Sequence, residues 1–224
     1  MKGSMWNSLS GPWQTTLDLA WDAYCKDCIP IGAVVTDENG IILSQGRNRV
    51  NDITGATGHT NYHFLANAEL NALITLDYQT IDPHTCVIYT TTEPCPLCMG
   101  AIYMSGLRSI HYASRDPFAG STNMLGKTPY LSLKPVKSYG PFDAILEVVL
   151  MALYVEFAKN DLQNKPSRRI AQVLERMGQV VPECVQLGNV LHRSGELRRM
   201  QRQGFTAAEV INTLATYVKS KRYA

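Results

Sequence analysis

The sequence lacks a long apolar run. Its most apolar stretch, Ala144 to Ala158, is interrupted by Glu147 and Glu156. It falls short of the roughly 20 residues a helix needs to cross a bilayer, so no membrane partner is expected. The start, MKGSMWNSLSGPW, has no apolar segment of the secretory type, and Gly3-Ser4-Met5 reads as a tag remnant ahead of a second start methionine. Cysteine is sparse: six in 224 residues cannot build a disulfide scaffold. A soluble protein of the reducing cytoplasm is the expectation. Charge of one sign is also lacking, since the net charge of +2 singles out no partner. There is no internal repeat or low-complexity tract. With 45% hydrophobic and 18% charged residues, the composition excludes disorder and leaves room for one sizeable core plus an appendage.

The charge is unevenly spread. Residues 1–124 carry a net −5 and residues 125–224 a net +7. A basic flank for phosphates is one reading of the second half. Its basic residues are mostly scattered, which favours an ordinary solvated helical surface.

Periodicity organises the chain. Leu17, Ala20, Trp21 and Tyr24 fall at helical spacing within Thr15–Lys26. Ile31–Val35 and Ile41–Gln45 flank the turn Asp37-Glu-Asn-Gly40 and predict a hairpin. A loop over Asn51–Asn61 leads to a helix over Ala66–Leu76. Cys86–Thr91 predicts a third strand, and Pro96–Ser105 a helix with proline in its first turn, where the missing N–H costs nothing. Ser109–Ala113 predicts a fourth strand. The order α-β-β-α-β-α-β implies an α/β fold, a mixed sheet in three layers. From Phe142 onward only helices are expected, over 142–160, 167–177 and 206–220, the last with Thr206 as N-cap.

The chemistry concentrates in Glu69 and in Glu93-Pro-Cys-Pro-Leu-Cys98. A C-x-x-C at a helix start gives thiolates the free N–H groups and positive dipole end that stabilise them, a good half-site for zinc. A catalytic zinc needs a third ligand, an open position for water and a proton shuttle. Asn67, two residues before Glu69, stands at the third-ligand position of a ligand-x-Glu arrangement. That arrangement followed by Pro-Cys-x-x-Cys is the zinc deaminase signature.

On these residues the chain resembles the cytidine deaminase-like superfamily, in its branch of tRNA adenosine deaminases and guanine deaminases. The resemblance runs over residues 14–125. Its segments are Cys28–Val35, Gly46-Arg-Asn-Arg49, Ala68–Leu73, Thr92–Tyr103 and Ala113–Gly120. It implies a three-layer α/β/α sandwich with a mixed sheet, extended by C-terminal helices. By this reading residues 1–13 are a tag or disordered, 14–125 form the zinc deaminase domain, and 126–224 pack on it or form an oligomer interface. The resemblance further implies Zn2+ held by Asn67, Cys95 and Cys98, with Glu69 as the catalytic proton carrier. Asn48 would orient the base, with a plain turn role as the alternative. Ala68, Pro94, Asp116, Phe118 and His63 would border the substrate, although Phe118 could equally plug the edge of the core. Family members are usually oligomeric, so a homodimer is expected.

Asn67 departs from the pattern, which has histidine or cysteine there. An amide oxygen is a harder and weaker donor than imidazole, although both are neutral. Three readings stay open. The amide holds zinc, directly or through water; His63 fills in from the preceding loop; or the chain is a metal-poor, non-catalytic relative that binds rather than reacts. An engineered knock-out would leave the same trace. The rest of the signature is intact, which favours a hydrolytic deaminase. Its expected substrate is a free amino-bearing base or nucleoside, purine ahead of cytosine-type, because the catalytic half is acidic and repels a polyanion. tRNA is the runner-up, served by Arg168-Arg169, Arg198-Arg199 and Lys219-Ser-Lys-Arg222.

Cys25 and Cys28 form a second C-x-x-C with no companion pair, and structural thiols are the expectation there. Cys86 and Cys184 read as core residues. The apolar residues of 142–160 occupy nearly every side, so that helix either packs under the tail or forms a subunit interface.

Overall fold

A computed structural model describes residues 4–54, 58–164 and 166–223. Residues 1–3 of the expected tag and 55–57 of the expected loop lie outside the described residues. The first helix, α1, spans Gly11–Cys25 and starts ahead of Thr15, because Pro12 sits in its first turn without losing a bond. Leu9 and Trp13 are buried in the core with Leu17, Trp21 and Tyr24. Within the start over 1–13, expected as a tag or disordered, these two residues pack in the core.

Strands β1 (Gly32–Thr36) and β2 (Ile42–Arg47) pair antiparallel. Asp37 shapes the turn between them, accepting hydrogen bonds from the Asn39 and Ile41 N–H groups. Helix α2 (Ala68–Ile74), strand β3 (Val87–Thr92), helix α3 (Pro96–Ser105) and strand β4 (Ser109–Ser114) follow. β3 and β4 are parallel, with α3 as the crossover such a pair requires. The sheet order is β2-β1-β3-β4-β5, where β5 is Lys137–Tyr139. The sheet is mixed: β1 is antiparallel to both its neighbours, and β3, β4 and β5 are parallel.

Alternation along the strands sends Ala33, Val35, Ile88 and Ile110 to one face, where α2 and α3 cover them. The other face is covered by α1 and by α4 (Ala144–Asn164). This is the expected α/β/α sandwich. Beyond the expected boundary at 125, β5 extends the same sheet and α4 packs on its second face. The pattern misses β5 because all three of its residues are exposed at an edge and carry no alternation.

Beyond α4 come α5 (Arg168–Val180), α6 (Pro182–Ser194), α7 (Glu196–Arg202) and α8 (Ala207–Ser220). The N-cap at Thr206 is a full capping box with Glu209. α6 and α7 were not expected; Pro182 stands in the first turn of α6. α4 is apolar on nearly all sides because Leu187 and Leu191 of α6 and Val210 and Leu214 of α8 pack against the side away from the sheet. No helix among the described residues is long and apolar enough to cross a membrane.

Gly46 lets β2 lie directly against α2: a Cβ there would strike Ala68 O and Ala72 N, both backbone atoms. Gly46→Ala should therefore cost about 1–3 kcal/mol of stability. A denaturant titration should show a lower midpoint with an unchanged slope.

Candidate active site

Helices α2 and α3 begin beside one another. Asn67 and Cys95 are their N-cap residues, both with extended backbone, so each side chain is free to face the neighbouring helix. α2 is held in place by Asn71, whose Nδ2 donates to Arg47 O at 3.1 Å and Thr60 O at 3.1 Å. Arg47 is buried and in turn pairs with Asp22 at 2.6 Å and Asp52 at 2.5 Å.

Three side chains converge where the helices start. Asn67 Nδ2 lies 3.8 Å from Cys95 Sγ and 3.6 Å from Cys98 Sγ, and the two sulfurs are 3.5 Å apart. This is far longer than a disulfide bond of about 2.0 Å, and both cysteines are free. Tetrahedral zinc, with bonds of about 2.1 Å to oxygen and 2.3 Å to sulfur, spaces its ligands about 3.6–3.8 Å apart. The triangle's sides of 3.5, 3.6 and 3.8 Å lie close to that spacing, and a half-turn of the carboxamide presents Oδ1 in place of Nδ2. The residues present fit the ion. Among the described residues no three His, Cys, Asp or Glu side chains could hold a metal, and the third side chain beside the two sulfurs is the Asn67 amide.

Glu69 stands behind this triangle and is 4% exposed. Thr90 Oγ1 donates to its Oε1 at 2.9 Å, while Cys98 Sγ donates to Oε2 at 3.3 Å. One oxygen is thus anchored to β3 and the other faces the thiols. Burial raises the Glu69 pKa, these hydrogen bonds oppose the rise, and the charge of Asp116 adds to it. The shared hydrogen bond with Cys98 lowers Cys95 to about 7 against the effect of burial. The same bond and burial push Cys98 well above the usual thiol range.

The other expected residues are disposed differently. His63 is exposed, and its Nδ1 accepts from the Leu65 N–H at 3.1 Å, so it does not fill the third corner. Asn48 is buried and its Oδ1 accepts from the Val50 N–H at 3.1 Å, a turn role. Ala68 is buried in the first turn of α2, and the carbonyl of buried Pro94 accepts from the Ser121 N–H at 3.0 Å. Asp116 Oδ1 accepts from the N–H groups of Phe118 and Ala119, both at 2.9 Å. Phe118 is 44% exposed and does not plug the core. Sequence reasoning missed Thr90 and Asn71, neither of which has a diagnostic spacing, and it quoted Glu93 in the cysteine motif without a role. The nearest signal was a polar residue at a buried strand or helix position.

The zinc-binding region model of cytidine and deoxycytidylate deaminases matches residues 12–114. A probable cytosine deaminase of Schizosaccharomyces pombe is 31% identical over 121 residues, 54% of this chain and 69% of that protein. A guanine deaminase of Bacillus subtilis is 34% identical over 85 residues, 38% of this chain and half of that protein. Among solved structures, a guanine deaminase from Nitrosomonas europaea superposes with a TM-score of 0.51 at 24% identity, covering 66% of this chain and 84% of that one. At that identity the likeness shows the fold.

The raised Glu69 pKa has a consequence for stability. An acid whose folded pKa lies above its unfolded value stabilises fully below the unfolded value, about 4.3, and the contribution is lost as pH rises through the folded pKa. In chelator-treated protein, Glu69→Gln should therefore melt at a higher temperature than the parent at pH 8. The gap should close towards pH 4.5, which thermal melts at a series of pH values will check.

Proposed function

This chain belongs to the cytidine deaminase-like superfamily, and on that premise we propose that it hydrolytically deaminates an amino-bearing nucleobase or nucleoside. The observation that carries the reading is the convergence of Asn67, Cys95 and Cys98 with Glu69 Oε2 aimed at the thiols. A non-catalytic relative has no use for a buried carboxylate pointing at the metal corner.

Zinc held by Asn67, Cys95 and Cys98 would supply the Lewis acid that makes water nucleophilic near neutral pH. Glu69 does the proton work. Its Oε1 stays on Thr90 while Oε2 takes the proton from the attacking water as the new C–O bond forms. Oε2 hands that proton to the ring nitrogen beside the carbon under attack. It then carries the remaining water proton to the departing amine, so that the C–N bond breaks, ammonia leaves and a carbonyl replaces the amino group. The burial that raises the Glu69 pKa suits a group that must both accept and return a proton. Asp116 and Phe118 belong to the loop beside the site, and half-exposed Phe118 suits stacking on a planar base.

A free base or nucleoside is favoured over tRNA by the net −5 of residues 1–124, and a purine over a cytosine by the form of the Pro-Cys-Pro-Leu-Cys motif. A homodimer belongs to the same reading, supported by exposed Tyr62, Phe64 and Leu65 just before Asn67.

Three measurements test this. The purified chain should carry zinc near one per protein, and Asn67→His should bind it about tenfold tighter or more, imidazole being the better donor. The parent should release ammonia from at least one free base or nucleoside, and Glu69→Ala should lose about 10²–10⁴-fold of that rate while keeping its zinc. If the parent takes up no zinc even when supplemented and only the histidine variant does, the binding-protein reading replaces this one. Deamination confined to tRNA would make the substrate RNA.

A further inference from the structure

The segment after β4 is held between two carboxylates that lie far apart in sequence. On one side is Glu93, directly before Pro94 and Cys95. Its Oε2 accepts from the Asp116 N–H at 3.4 Å, and its Oε1 accepts from the Thr122 N–H at 3.3 Å and from the Thr122 hydroxyl. Ser121 N–H donates to Pro94 O at 3.0 Å, and Gly120 N–H to Asp116 O at 2.9 Å. The loop closes so tightly that a Cβ on Gly120 would strike Glu93 and Asp116.

On the other side is Glu147, in the first turn of α4 and 3% exposed. Its Oε1 accepts from the Arg115 backbone N–H at 3.0 Å and from Arg115 Nε at 2.7 Å, while Oε2 accepts from Nη2 at 2.8 Å. This is a two-pronged charge-assisted pair with a third bond to the main chain. A buried carboxylate needs such partners, and they hold the chain where it leaves β4. The residue fixed in this way adjoins Asp116, whose own oxygen shapes the turn that presents Phe118.

We propose that Glu147 is a positioning residue of the active site. Acting through Arg115, it sets where Asp116 and Phe118 stand beside the Asn67–Cys95–Cys98 corner, so that a helix outside the motif-bearing region helps to determine substrate affinity. The kinetic half of this inference rests on the deaminase reading; the clamp on the loop does not.

The test pairs two readouts on the full chain. Glu147→Gln keeps the shape and removes the charge. It should speed hydrogen exchange of the peptide covering 115–122 about tenfold and leave peptides from α2 and α3 unchanged. With whichever base or nucleoside the parent deaminates, it should raise KM about tenfold with kcat within about twofold and zinc content unchanged. Arg115→Lys keeps the charge pair but loses the fork, and should shift both readouts in the same direction by less. It carries the test alone if Glu147→Gln does not fold. A lower melting temperature with loop exchange and KM both unmoved would show that Glu147 is merely structural and overturn the proposal, as would a fall in kcat with KM unchanged. If the parent deaminates nothing, the deaminase reading fails, and loop exchange alone decides whether Glu147 holds the loop.

Discussion

Everything chemical in this molecule depends on two helices starting side by side. The first residue before each helix has extended backbone, which leaves Asn67 and Cys95 pointing across the gap rather than along a helix surface. Cys98 comes to the same corner from one turn into α3, close to the positive end of that helix. No strand residue could supply these donors in so small a space. The sheet sets the distance between the helices, and Gly46 at the end of β2 lets one of them settle against it.

The corner is rich in groups that resist ionising together. Burial, Cys95 and Glu69 raise the cost of a thiolate at Cys98, and Asp116 adds to the cost of charge on buried Glu69. A divalent cation would resolve that conflict by charge, at donors already close to its spacing. The amide of Asn67 adds no charge of its own. It would leave the balance between the cation and the two sulfurs the same as an imidazole would.

Much of this could be read from the residues. Hydrophobic alternation marked the first four strands to within two residues, and Pro96 marked the start of α3. The spacing of Asn67, Glu69, Cys95 and Cys98 named the corner. What escaped had no local signature. β5 is three exposed residues that exist as a strand only because β4 lies beside them. The bonds that Asn48 accepts from the Val50 N–H and His63 from the Leu65 N–H depend on loop backbone that no pattern specifies. Glu147 did stand out, as a charge inside an apolar helix, yet only the fold shows that Arg115 is its partner. The start of α6 at Pro182 escaped too, because proline suits both the end of one helix and the first turn of the next.

The sandwiching of α4 has a further consequence for how this sequence can change over generations. One side of α4 faces the sheet, the other faces α6 and α8, and its early turn holds Glu147. A helix enclosed in this way has almost no position where a substitution is free, since each change meets either a packed neighbour or a buried bond. α5 is the opposite case, with only Val173 and Met177 buried. Drift in the C-terminal half is therefore channelled into α5 and its neighbouring loops. α4 stays bound to the region that carries the chemistry, although it contributes no group to it.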